Sequence, residues 1–224
     1  MISVAIMAHP KRAAFVAELT AQLPEAEVVW DRHDDRWETG TRSLLAFDPS
    51  ADYHLVVQDD AIVCRDLVVG AEKAARAAGE RPVALYTGRV RPSQRVIGPA
   101  VRSALRRGSP WISYRGPLWG VGLVIPTAHI PELVAWGNAN TRRANYDRRI
   151  EEFYTRRGID CWYTVPSLVD HRSVDENPSL VEGRTGNRTA HTFIRDRSPL
   201  DIDWSRDPIR VKERQGRAAR PSQR

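Results

Sequence analysis

The stretch from Tyr53 to Cys64, YHLVVQDDAIVC, sets two adjacent carboxylates, Asp59 and Asp60, at the end of an apolar, β-branched run. Acids side by side at the tip of a buried strand repel one another and lose solvation, so something must offset both costs. A divalent cation carrying a phosphorylated ligand would do so, because hard carboxylate oxygens suit Mg²⁺ or Mn²⁺. A strand followed by an acidic turn is the plainer alternative. A second donor pair, Asp170-His171, follows the strand-like Cys161 to Val165 and the segment PSLV. A lone His is ordinarily a surface or capping residue; its place after a strand makes it a candidate ligand, with Asp170 an equal alternative.

Several elements must position these groups. Ile2 to Met7 reads as a first strand closed by His9-Pro10. Ala13 to Leu23 follows with Phe15, Val16, Leu19 and Leu23 at helical spacing and stops at Pro24. Glu27 to Trp30 is a second strand, running into the polar DRHDDRWETGTRS. Ser43 to Phe47 is a short helical piece, Tyr53 to Val57 a third strand, Leu67 to Ala78 a helix ended by Gly79, and Val83 to Tyr86 a fourth strand. This alternation argues an α/β fold with a largely parallel sheet flanked by helices. In such sheets ligands bind beyond the carboxyl ends of the strands, where His9, Asp31 and Asp59/Asp60 fall. The second half is less regular. Residues 89–108 are Arg-rich and partly helical, and SPWISYRGPLWG reads as an aromatic loop broken by Gly and Pro. A strand at Val121 to Ile125 and a helix at Thr127 to Gly137 follow. Asn145 to Arg157 is a further helix, with Ile150, Phe153 and Tyr154 on one face and Gly158 as its C-cap.

The 224 residues suffice for one domain with a real core. No run approaches the ~20 apolar residues needed to span a bilayer. The start, MISVAIMAHPKR, reads as a strand rather than a signal peptide. Cys64 and Cys161 form no spaced framework, which points to a reducing, cytoplasmic setting. The net charge of +6 invites a nucleic-acid partner, yet residues 206–224 alone carry seven basic and two acidic side chains. A basic, flexible extension over 196–224 is therefore expected beyond a domain spanning 1–195. Only Lys11, Lys73 and Lys212 among the 34 basic residues are Lys, a bias that a GC-rich genome would produce.

The order of AHPKR, VVQDDA, WGVGLVIP and PSLVDH resembles nucleotide-sugar glycosyltransferases of the GT-A fold, particularly the small single-domain transferases of bacteria and bacteriophages. That resemblance covers roughly residues 1–195. It implies a Rossmann-like, mostly parallel twisted sheet and transfer of a sugar from a nucleoside diphosphate, UDP being the commonest carrier. It implies a metal, Mn²⁺ or Mg²⁺, held by Asp60 with His171, and Asp59 as a helper. The position of the family's first Asp is Gln58, which can still hydrogen-bond a ribose. His9, Lys11, Arg12 and Asp31 fall where the family holds base and phosphates, and Arg42 becomes a candidate diphosphate clamp through bidentate pairing. Arg184 and Arg188 fall in a C-terminal segment that in the family closes over the nucleotide. Trp111, Tyr114 and Trp119 would form the acceptor platform, with Asp147 as the base that takes the hydroxyl proton. The acceptor stays open: a protein, a glycan, or a hydroxymethylated base in DNA. Two rival classes also stay open. A nucleotidyltransferase would be expected to carry a Gly-rich loop, which MAHPKR lacks. A non-catalytic nucleic-acid-binding protein leaves the acidic tip unexplained.

Overall fold

A computed structural model describes residues 1–89, 94–141, 145–172 and 188–211. Strand β1 (Ile2–Ala8) lies between β2 (Glu27–Trp30) and β3 (Tyr53–Gln58), parallel to both. Leu55, Val56 and Val57 of β3 are wholly buried because both faces of the sheet are covered, which is why the strand reads as a continuous apolar run. Alternate side chains feed two layers. Leu55 and Val57 join Val4 and Ile6 under α1 (Ala13–Gln22) and α3 (Leu67–Ala78). Val56 joins the layer under α2 (Arg36–Leu45), α4 (Gln94–Arg107), α5 (Ile130–Ala139) and α6 (Tyr146–Arg156).

Beyond β3 the sheet is mixed. β7 (Gly122–Pro126) pairs antiparallel with both β3 and β5 (Val83–Ala84). β8 (Asp160–Thr164) runs parallel to β5, β6 (Trp111–Arg115) antiparallel to β8, and β10 (Ile209–Arg210) parallel to β6. Among the described residues this makes an eight-stranded, mostly parallel sheet in the order β10-β6-β8-β5-β7-β3-β1-β2. Immediately after the acidic tip, β4 (Ala61–Val63) pairs antiparallel with β9 (Val169–His171) in a separate two-stranded ribbon. That ribbon brings a residue 110 positions downstream of Ala61 against the tip, since His171 is its register partner.

Three expectations change. The helix expected at Ser43 begins at Arg36, where Asp35 caps it by accepting from the N–H groups of Trp37 (2.8 Å) and Glu38 (3.0 Å). The aromatic stretch read as a loop contains β6; its turn residues Gly116 and Pro117 follow the strand instead of breaking it. The chain also stays packed past residue 195. Trp204 is buried against Trp111 with ring centroids 4.7 Å apart, its carbonyl accepts from Trp111 Nε1 at 3.1 Å, and β10 adds to the sheet edge. Residues 212–224 lie outside the described residues. No helix of the described residues is long and apolar enough to cross a membrane.

Candidate functional site

The acidic tip sits at the carboxyl ends of β1 and β3. The Asp59 N–H donates to the Met7 carbonyl (3.1 Å) and the Gln58 N–H to that of Val121 (2.9 Å), so backbone bonds to both neighbouring segments fix the turn. Asp59 and Asp60 are each only 4% exposed. Arg12 reaches them from the short 3₁₀ turn Pro10–Arg12 that follows β1. Its Nη1 donates to Asp59 Oδ1 and to Asp60 Oδ2, both at 2.7 Å. The His9 N–H donates to Asp59 Oδ2 at 2.7 Å, so Asp59 staples the loop after β1 to the end of β3. Burial, and then the neighbouring charge of Asp60, hold the Asp59 carboxyl above the usual carboxylate range; Arg12 and the His9 N–H pull it partly back.

Asp60 Oδ2 also faces His171 Nε2 at 3.3 Å. His171 Nδ1 lies 2.8 Å from the Arg172 carbonyl, which can only accept. Nδ1 is therefore the donor to that carbonyl, and Nε2 is the ring nitrogen turned toward Asp60. A metal-ligating His is usually oriented in this way. The 3.3 Å separation is close to the ~3.0 Å between neighbouring positions around an octahedral ion with ~2.1 Å bonds. Among the described residues no group of three or more His, Cys, Asp or Glu forms a metal cluster. The pair thus fits an ion that takes its remaining ligands from water and a bound phosphate, the usual habit of Mg²⁺. Arg12 is the charge such an ion would have to share the acids with.

The rim is built by local capping. Asp31 Oδ1 accepts from the N–H groups of His33 (3.0 Å) and Asp34 (2.6 Å), a turn that leaves Asp34 in the left-handed region at φ 58°. His9 Nδ1 accepts from the Lys11 N–H (3.2 Å), so its Nε2 carries the proton and points to Asp34 Oδ1 at 3.3 Å. Arg36 Nη1 donates to Asn145 Oδ1 (3.2 Å), joining the start of α2 to the cap of α6. Tyr146 is buried between Gly40 and Gly120: a Cβ at Gly40 would lie 2.2 Å from its ring, and one at Gly120 3.1 Å. Glycine at these positions is what admits the ring. On the opposite wall, the Tyr86 hydroxyl donates to the Arg188 carbonyl. Asp170 Oδ1 accepts from the N–H groups of His171 (2.8 Å) and Ala190 (2.6 Å). Asp170 therefore acts as a backbone staple that positions Arg188. The result is an open cleft of about 160 Å³.

No protein-family model matches the sequence, and neither does any curated protein.

The fold gathers His9, Arg12, Asp31, Gln58, Asp59, Asp60, Asp147, His171 and Arg188 around this one cleft. Others lie elsewhere. Lys11 is exposed and does not line it. Arg42 sits in the last turn of α2, not the first, and its guanidinium is held by Glu38 (2.5 Å) and the Trp30 carbonyl (2.8 Å). Tyr114 is 7% exposed on β6, and Trp111 is wholly buried. Trp119 is half-buried, edge-on to Tyr86 and Tyr163 at 5.7 and 6.1 Å, and packs against both core layers rather than lining the cleft. Arg184 lies outside the described residues. Asp34, Arg36, Thr39, Asn145 and Tyr146 line the cleft without having been singled out from the sequence. Asp35 followed three residues later by Glu38 is a helix-start signature that would have placed Arg36 at an amino-terminal turn.

Proposed function

We propose that this chain is a glycosyltransferase of the GT-A type that moves a sugar from a nucleoside-diphosphate sugar, a UDP-sugar by preference, to an acceptor hydroxyl. One observation carries the reading. A buried acidic pair, an Nε2-presenting His and two arginines converge on one open cleft at the carboxyl ends of parallel strands. In this reading His9, Asp31 and Gln58 receive the base and ribose, while Arg12 and Arg188 face the diphosphate. A Mn²⁺ or Mg²⁺ ion, held by Asp60 and His171, would supply charge neutralisation to the departing diphosphate. Asp147, in the first turn of α6 and lining the cleft, takes the proton from the acceptor hydroxyl as its oxygen bonds to the anomeric carbon. The bond from that carbon to the diphosphate breaks, and the arginines hold the charge that develops on the leaving oxygens. The test is release of nucleoside diphosphate from a panel of sugar nucleotides, with EDTA-stripped protein before and after adding Mn²⁺. Turnover of at least one donor is expected. No turnover of any donor, together with no nucleotide-diphosphate binding by calorimetry, would overturn the reading.

A further inference from the structure

On several surface helices among the described residues, an exposed arginine pairs with an acid one turn away. Arg42 meets Glu38 at 2.5 Å in α2, Arg76 meets Glu72 at 2.8 Å in α3, and in α6 Arg156 and Arg148 meet Glu152 and Glu151 at 2.6 and 2.5 Å. Helix α4, QRVIGPAVRSALRR, contains no acid. Arg95, Arg102 and Arg106 are seven and four residues apart, so they stand in one row along the helix. Their spacing makes the row roughly 16 Å long at 1.5 Å per residue. All three are exposed, and none has a hydrogen bond or ion pair among the described residues. The opposite face, with Ile97, Val101 and Ala104, is buried in the core, so the row can face only outward.

The row also continues toward the cleft. The His191 ring and Arg102 Nη1 both lie against Gly98, 3.4 and 3.5 Å from where its Cβ would stand. Arg89 Nε donates to the Ala190 carbonyl at 2.9 Å, which holds a second guanidinium beside His191. Three residues before His191, Arg188 lines the cleft itself. Burial, then the neighbouring cations Arg89 and Arg102, push the His191 imidazole toward its neutral form. Such crowding opposes folding and is relieved when a polyanion docks.

We infer that the outer face of α4 is a docking surface for the phosphate backbone of duplex DNA, and that the hydroxyl offered to the cleft belongs to that nucleic acid. The second half of this statement rests on the proposed transferase activity; the first does not. A duplex fits better than a single strand. Single-strand sites add aromatic faces for base stacking, and the nearby Trp111 and Tyr114 are turned into the core. Phosphate contacts made by a row of guanidiniums need no base contacts to form.

The experiment is fluorescence anisotropy with a labelled 30-base-pair duplex and full-length protein, titrated across salt concentrations. The variant Arg95→Gln/Arg102→Gln/Arg106→Gln keeps good helix formers at exposed positions, and its fold is checked by circular dichroism. It should bind about tenfold or more weakly at low salt, with the log–log salt slope reduced by roughly two to three, one unit per lost phosphate contact. A second full-length variant, with Lys212, Arg214, Arg217, Arg220 and Arg224 changed to Gln, should keep most of the slope. Binding of the triple variant equal to wild type, loss confined to the second variant, or equally tight binding of polyglutamate would each overturn the inference. Donor turnover is measured separately on the same proteins. DNA binding without donor turnover would sink the transferase reading and leave the docking surface standing.

Discussion

Strand β3 buries ionisable side chains at both ends, and the two ends are treated differently. At the lower end His54 is wholly buried. Its Nε2 donates to the Ser43 carbonyl (2.7 Å) and its Nδ1 accepts from the Ser3 hydroxyl (2.8 Å), while Phe47 packs edge-on at 6.3 Å. Burial pushes its pKa down, the ring stays neutral, and both nitrogens are satisfied from within. At the upper end Asp59 and Asp60 are nearly as buried, but both accept from Arg12 Nη1 and border an open cleft. Burial of a polar group therefore does not by itself mark a site; burial of adjacent acids on the wall of a cleft makes a candidate.

The comparison can be broken most decisively at Asp60. Asp60→Asn should fold and lower donor turnover by about 10²-fold or more, the scale of losing one electrostatic stabiliser. Its unfolding free energy should change little, because relief of repulsion with Asp59 offsets the lost Arg12 contact. Wild-type turnover in this variant would make the upper end as structural as the lower one.

Arg12→Met comes next. It leaves two buried carboxylates facing one another and should cost about 3 kcal/mol in urea unfolding at neutral pH. The pH dependence follows from Asp59, whose carboxyl lies above its unfolded range. A raised carboxyl adds stability that is fully present below the unfolded pKa and is lost as pH rises through the folded one. Removing Arg12 raises it further, so the deficit should grow from pH 4 to pH 7. A deficit independent of pH would contradict this account.

At the other end, His54→Gln should cost about 1–2 kcal/mol through weakened buried hydrogen bonds and leave donor turnover unchanged. Here the sign reverses. A His with a lowered folded pKa gives stability that is complete above its unfolded value, near 6.5, and is lost as pH falls below it. The gap between wild type and variant should therefore narrow from pH 7 to pH 5 in thermal melts. The smallest effect is expected at Arg42→Ala, which removes a half-exposed ion pair worth less than about 1 kcal/mol and should not alter the donor KM. Arg36→Ala, at the cleft, should raise that KM severalfold. Reversed outcomes for this pair would place donor binding at Arg42 rather than at the cleft.

Leu67 to Ala78 was legible in the sequence down to its terminal Gly79, which adopts φ 67°. Its small residues repeat at helical spacing, and Gly is the residue for which a positive φ costs least. β1, β2 and β3 were equally plain, being short β-branched runs bounded by turn residues. β6 was hidden because Gly116 and Pro117 end it so closely, and α2 because its first turns carry little apolar periodicity. In the site, Asp59 and Asp60 announced themselves by the cost of two acids at a strand tip. Trp119 was ambiguous, because an aromatic beside glycines suits a stacking platform and a packing position alike; in the fold it lies half-buried, edge-on to Tyr86 and Tyr163.

The sequence by itself determined the strands and most of the helices of the first half, and which strand would end in charge, because those depend on neighbours along the chain. Only the tertiary structure decided that Arg12 bridges acids 47 and 48 residues away, that His171 arrives beside Asp60 through the β4–β9 ribbon, and that Trp204 completes the core at the sheet edge. Strand order and register set those meetings, and they emerge from burying two apolar layers against one sheet, a balance spread over the whole chain.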